Sequence, residues 1–259
     1  VFRTLVDVEC NLGHALDARA AGVAFSADPV LLFRHLGLPP ATAETEVVRL
    51  YDGLHAALRR HNCRLGGGNI ARSPELCLDL FAVGQGRRDL FPRRGAARPG
   101  ETLYATGPLG LARCGLMALG SGDERFPGLV TRFIRPRARF DAAAVLADHG
   151  IACVMDISDG LAGDAAHIAR AANLTIDLDT RAAAAHPELR RFCTAHGLNP
   201  ANEALAGGEE YELLFTCRPE TFASIVKHLP EAHPVGRCRP FGGEHLPGLP
   251  DGVRAFRHG

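Results

Sequence analysis

Residues 151–161 read Ile-Ala-Cys-Val-Met-Asp-Ile-Ser-Asp-Gly-Leu. An apolar run ends in two carboxylates, Asp156 and Asp159, three positions apart, and a glycine follows at once. The pattern predicts a buried strand over Ile151–Met155, a turn over Asp156–Gly160 and a helix over Leu161–Ala172. A strand over Leu174–Leu178 follows, and an amphipathic helix over Arg137–His149 precedes. The alternation recurs on both sides. Thr102–Thr106 reads as a strand, Gly107–Gly110 as a turn and Leu111–Leu119 as a helix. Tyr211–Cys217 reads as a strand, Glu220–Leu229 as a helix and Val235–Arg237 as a short strand. Strands alternating with helices make this an α/β (α+β) chain.

Upstream, Val47, Val48, Leu50, Tyr51, Leu54, Ala57 and Leu58 form an apolar stripe at helical spacing, so Glu44–His61 is expected to be a helix. Gly66-Gly67-Gly68 is expected to break the chain, and Leu76–Val83 to be a strand. Near the start, Phe2–Cys10 suits a strand and Ala15–Phe25 a helix. The stretch Asp89–Gly100 is rich in Arg, Pro and Gly and reads as a junction, which divides the chain into domains over 1–92 and 93–259.

Composition excludes several classes. The chain has 259 residues, with 29 Lys+Arg against 29 Asp+Glu. Zero formal charge argues against a general nucleic-acid binder, which carries basic excess. No run of about 18 apolar residues exists, so no membrane helix is expected, and no secretory signal is visible. Val1 stands where a Met would open a complete reading frame, which implies a fragment or a late start. Lys227 is the only lysine and no Gly-Lys pair exists, so a P-loop is excluded. Any nucleotide phosphates must be held another way. The eight cysteines never come closer than 14 positions, which removes the paired zinc or redox spacing. Buried free thiols in a reducing cytoplasm are the expectation.

Four segments could carry chemistry. Asp156 and Asp159 repel each other in one turn unless a cation or hydrogen bonds intervene, and hard oxygen donors at this density suit Mg²⁺ bridging phosphates. The alternative is that Ser158 or Asp159 caps the following helix. Gly66-Gly67-Gly68-Asn69 would let a backbone approach a phosphate, or is a flexible connection. Ala206-Gly207-Gly208-Glu209-Glu210-Tyr211-Glu212 would present a carboxylate to a ligand, or is a bulge with solvated acids. Tyr104-Ala-Thr-Gly-Pro-Leu-Gly110 has the form of an anion-binding strand, turn and helix, without the dinucleotide glycine spacing. Ser158 is not in a nucleophile elbow, and the twelve histidines show no zinc spacing.

Taken together, these segments resemble the thiamine-monophosphate kinase family. The resemblance rests on Met155-Asp-Ile-Ser-Asp-Gly-Leu161 with Asp164 and His167-Ile168, and on Ala204-Leu-Ala-Gly-Gly-Glu-Glu-Tyr-Glu-Leu-Leu-Phe215. It also rests on the run Arg94–Gly110, on Arg135-Pro136-Arg137 and on Ala255-Phe256-Arg257-His258. The wider superfamily includes aminoimidazole ribonucleotide synthetase. The resemblance implies an N-terminal domain that pairs across a homodimer and a C-terminal α/β domain. ATP would lie between them, held by Mg²⁺ and carboxylates. It implies Asp156 and Asp159 as Mg²⁺ ligands, and Ser158, Arg94, Gly68 and Asn69 as ATP contacts. Glu209, Phe256 and His14 would contact thiamine monophosphate, with Asp7 as a further metal ligand. No nucleic acid and no membrane would be partners.

Departures from the pattern carry their own expectation. The family's opening Gly-Asp-Asp-Ala segment is absent, Asn69 replaces a metal-binding aspartate, and Ala21 stands where another aspartate is usual. Phosphoryl transfer rests on positioning and on charge neutralisation by metals. The function the resemblance implies is ATP- and Mg-dependent phosphorylation of thiamine monophosphate to the diphosphate. The alternative is a weakened paralogue that binds nucleotide, or a phosphorylated ligand, without efficient transfer.

Overall fold

The computed structural model describes residues 30–83, 92–250 and 253. The expectations for Phe2–Cys10 and Ala15–Phe25 lie outside these residues. The chain divides into two compact units, Val1–Asp89 and Leu90–Gly259.

In the first unit, strand β1 (Val30–Leu38) is followed by helix α1 (Glu44–Arg60), strand β2 (Cys63–Arg72) and strand β3 (Cys77–Val83). β1 is central, parallel to β2 and antiparallel to β3. Leu32 and Leu36 of β1 are buried, as are Leu50, Leu54, Ala57 and Leu58 on one stripe of α1. The expected break at the glycine triplet is overturned, because β2 runs straight through Gly66–Gly68. Pairing slips by one residue between Leu32 and Phe33, which leaves Gly66 as the extra residue of a bulge. A β-carbon on Gly68 would lie 2.0 Å from the Arg34 carbonyl oxygen, so strand contact alone requires glycine there.

The second unit opens with a short 3₁₀ turn, Arg94–Ala96, and strand β4 (Thr102–Ala105). Helices α2 (Leu111–Ser121), α3 (Pro127–Ile134) and α4 (Phe140–Asp148) follow, then strand β5 (Cys153–Asp156), helix α5 (Leu161–Ala172) and strand β6 (Leu174–Leu178). Helices α6 (Thr180–Ala183), α7 (Pro187–His196) and α8 (Pro200–Ala206) lead to strand β7 (Leu213–Cys217), helix α9 (Pro219–Ile225) and strand β8 (His233–Pro240). The sheet order is β5-β7-β4-β8-β6, and every pair is antiparallel.

Alternation along the strands gives the sheet two buried faces. Leu103, Ala105, Met155 and Leu214 join a core with Leu111, Leu129, Leu161, Ile168, Phe192 and Leu205 from the helices. Tyr104 and Phe215 point the other way, and the Tyr104 ring stacks on Phe222 of α9 at 3.9 Å between centroids. Five of the described cysteines are buried in this unit, and burial pushes Cys153 up to about 11 and Cys217 and Cys238 to about 12. Such thiols are unreactive near neutral pH.

Candidate functional site

The Asp156–Gly160 turn and the Gly207–Glu212 segment lie side by side. Strands β5 and β7 pair through Asp156 and Leu213, and the ladder continues past the strand ends. Ile157 donates its amide to the Glu212 carbonyl at 2.8 Å. Tyr211 donates to the Ile157 carbonyl and Glu209 to the Ser158 carbonyl, both at 2.9 Å. The approach is close enough to need glycine. A β-carbon on Gly208 would sit 2.5 Å from the Ser158 oxygen, and one on Gly160 would sit 2.9 Å from the Ala206 backbone. Gly160 also has φ +97°, where a side chain is strained.

Helix α5 starts from Gly160, so neither Ser158 nor Asp159 is its cap, and the capping alternative fails. The capping runs the other way. Asp164, in the first turn of α5, accepts from the Ser158 amide at 3.0 Å and the Asp159 amide at 3.1 Å through one oxygen. Asp164 is 1% exposed. Burial pushes its carboxyl up to about 7, the nearby Asp159 and Asp156 charges add to this, and the two amide bonds work against it. Donor atoms of Asp159, Asp164 and His167 lie within 4.8 Å of one another. Burial, then the Arg170 and Arg94 charges, holds the His167 imidazole below its usual range, which keeps it neutral. Two carboxylates and an imidazole in that space, with Asp156 beside them, form a donor set that suits a divalent cation.

Glu209 is half-buried, and its carboxylate accepts from the Tyr211 hydroxyl at 2.8 Å. Glu209 and Tyr211 have φ +65° and +53°. Such left-handed backbone at ordinary residues survives only where the surroundings hold it. The expectation of solvated acids here is corrected, since Glu210 and Glu212 are both buried. Glu210 accepts from the Ala112 amide at 2.8 Å, so the chain's own carboxylate fills the N-terminus of α2. The anion-binding form of Tyr104–Gly110 is thereby accounted for internally. Burial pushes Glu210 up to about 8 despite the nearby Arg132 charge. Glu212 accepts from the Thr106 hydroxyl at 2.7 Å and from Arg132 at 2.7 Å, and also pairs with Arg139. A cavity of about 590 Å³ opens beside this cluster, and Asp156, Ser158, Asp159 and Glu209 are not among the residues that line it.

Of the residues expected from sequence, Asp156, Ser158, Asp159 and Glu209 are brought together in the second unit. Exposed Arg94 lies within electrostatic range of His167. Gly68 and Asn69 belong to the first unit, exposed on β2, where the Asn69 carbonyl accepts from Arg34 at 3.1 Å. Asp7, His14 and Phe256 lie outside the described residues. Asp164, His167 and Tyr211 were given no role from sequence. The available signal was an acid and a histidine three apart in the first turns of the helix after the turn.

Comparisons with known proteins converge on one family. The AIR synthase related protein, C-terminal domain, matches residues 98–239. The thiamine-monophosphate kinase of Aquifex aeolicus is 36% identical over 185 residues, covering 70% of this chain and 60% of the relative. That of Pyrococcus horikoshii is 30% identical over 197 residues, covering 76% and 62%. The chain thus spans about three fifths of the length of the curated relatives it matches. The crystal structure of the Aquifex aeolicus kinase superposes with a TM-score of 0.80 at 30% identity, covering 96% of this chain and 82% of that one. AaThiL complexed with AMPPCP and TMP superposes at 0.78, with 30% identity, covering 92% and 76%.

Proposed function

We propose, on the premise that this chain belongs to the AIR synthase-related family and within it to the thiamine-monophosphate kinases, that it makes thiamine diphosphate from ATP and thiamine monophosphate. The observation that carries the reading is the ladder that sets the Asp156–Gly160 turn against Glu209. A candidate metal turn and a candidate substrate acid then share one rigid frame. The related structure complexed with AMPPCP and TMP supports this pairing of ligands.

Asp156 and Asp159 would hold Mg²⁺, with Asp7 as a further ligand. The residues fit the ion, because donor atoms of Asp159, Asp164 and His167 converge within 4.8 Å of one another and a cation would relieve the repulsion between neighbouring carboxylates. When bound, Mg²⁺ supplies charge neutralisation on the phosphates. Ser158, Arg94, Gly68 and Asn69 would contact ATP. Glu209, held by the Tyr211 hydroxyl, would face the cationic thiazolium of the substrate, with His14 and Phe256. The terminal phosphate oxygen of thiamine monophosphate attacks the γ-phosphorus in line and ADP leaves, with no covalent intermediate on the chain.

A homodimer is supported by the first unit. Helix α1 covers one face of its sheet, while Leu31, Phe81 and Val83 are exposed on the other. A cytoplasmic setting is supported by the free cysteines and by the absence, among the described residues, of any helix long and apolar enough to cross a membrane.

A second reading rests on Asn69, which offers an amide where the family pattern has a carboxylate. It would bind nucleotide without efficient transfer. Incubating the purified chain with Mg-ATP and thiamine monophosphate separates the two. Thiamine diphosphate is the expected product, and nucleotide binding without turnover would establish the second reading. Asp156→Asn should abolish Mg-dependent nucleotide binding by calorimetry, and unchanged binding would refute its metal role.

A further inference from the structure

We propose that Asp164 is a positioning residue for the metal turn. Its buried carboxylate would pin the peptide from which Asp159 projects, and so set Mg²⁺ affinity without coordinating the ion. The inference rests on the Mg²⁺ role given above to Asp156 and Asp159.

The geometry of one peptide unit carries it. The carbonyl of the Ser158–Asp159 peptide accepts from the Glu209 amide at 2.9 Å, and its N–H donates to Asp164 at 3.1 Å. Both ends of this peptide are therefore held, one by the Gly207–Glu212 segment and the other by helix α5. The same Asp164 oxygen takes the preceding amide, Ser158, at 3.0 Å. Helix α5 is anchored in turn by Leu161, Ala165 and Ile168, which lie in the core. Pinned at both ends, the peptide plane cannot swing, so the direction in which the Asp159 side chain leaves the backbone is fixed. Groups that orient a metal ligand in this way typically change metal affinity about 10–100-fold when removed. An aliphatic side chain at 164 would leave two amides without their acceptor in a half-buried turn.

One carboxylate oxygen of Asp164 lies within 4.8 Å of donor atoms on Asp159 and His167, so direct coordination is the rival account. Asparagine separates the two. Its amide oxygen can accept the same two N–H bonds, but it brings no charge to a cation. Mg²⁺-dependent nucleotide binding should be titrated by calorimetry on the whole chain for wild type, Asp164→Ala, Asp164→Asn and Asp159→Asn. Asp164→Ala should need about tenfold more Mg²⁺ or beyond, while Asp164→Asn stays within about threefold of wild type. A loss in Asp164→Asn as large as that in Asp164→Ala overturns the positioning role in favour of direct coordination. Unchanged binding in Asp164→Ala, with Asp159→Asn deficient, overturns the role of Asp164 alone. Unchanged binding in Asp159→Asn overturns the metal reading beneath it. A second readout needs no variant. In wild-type protein the Ser158 and Asp159 amides should exchange hydrogen at least about tenfold more slowly than exposed loop amides, and free exchange overturns the pinning even if Asp164→Ala does not fold.

Discussion

Gly208 leaves no room for a side chain where the two segments of the second unit meet, because a β-carbon there would lie 2.5 Å from the Ser158 oxygen that the Glu209 amide must reach. Gly208→Ala should therefore force the two segments apart and cost about 1–3 kcal/mol in urea unfolding. Gly120, near the end of α2, makes the control, since a β-carbon there meets nothing within 4 Å and its backbone has no positive φ. Gly120→Ala should be neutral or stabilise by about 0.5–1 kcal/mol. Equal losses in the two variants would show that the contact at Ser158 is not what requires glycine. Glycine in the sequence says only that something is close. At Gly208 it is a ladder partner, and at Gly68 it is the neighbouring strand.

At the scale of elements, Glu210 and Glu212 join the start of β7 to the N-terminus of α2, to Thr106 and to two arginines. Burial raises the Glu210 carboxyl to about 8, well above an unfolded glutamate. Between those two values the folded chain keeps a proton that the unfolded chain releases. The stability is then full at acid pH and falls as pH rises through the window. Glu210→Gln cannot ionise. From about pH 5 to about pH 9 its urea stability should fall less than that of wild type, and parallel curves would refute the shift. The elements themselves were legible to different degrees. Helix Glu44–Arg60 and the strand, turn and helix from Cys153 to Ala172 follow their apolar periodicity closely. Strand β1 is not legible in the sequence, because Arg34 stands between its buried Leu32 and Leu36 on the same face and interrupts the apolar alternation. Helix α3 was missed because Pro127 and Gly128 look like a turn, yet proline suits a first helical position. The acids of 209–212 were legible as a cluster, but not their split into one facing Tyr211 and two buried, since charge on a sequence carries no sign of its partner.

At the scale of the whole molecule, the two units have separate sheets and separate cores. The exposed Phe81 and Val83 lie on the sheet face opposite α1. Sedimentation should give a dimer for the chain, and Phe81→Glu should give a folded monomer. A wild-type monomer at micromolar concentration would remove the homodimer from the proposed function. The two candidate-site segments of the second unit, Asp156–Gly160 and Gly207–Glu212, are spliced by one hydrogen-bond ladder. That splice constrains how the chain can diversify. A single-residue insertion or deletion in either segment slips the register of both, so loop-length variation is closed to this site. Under the proposed function, new acceptor chemistry is reachable by exchanging side chains on a frame of constant length, and a mutational library would best be spent on Glu209 and its half-buried neighbours.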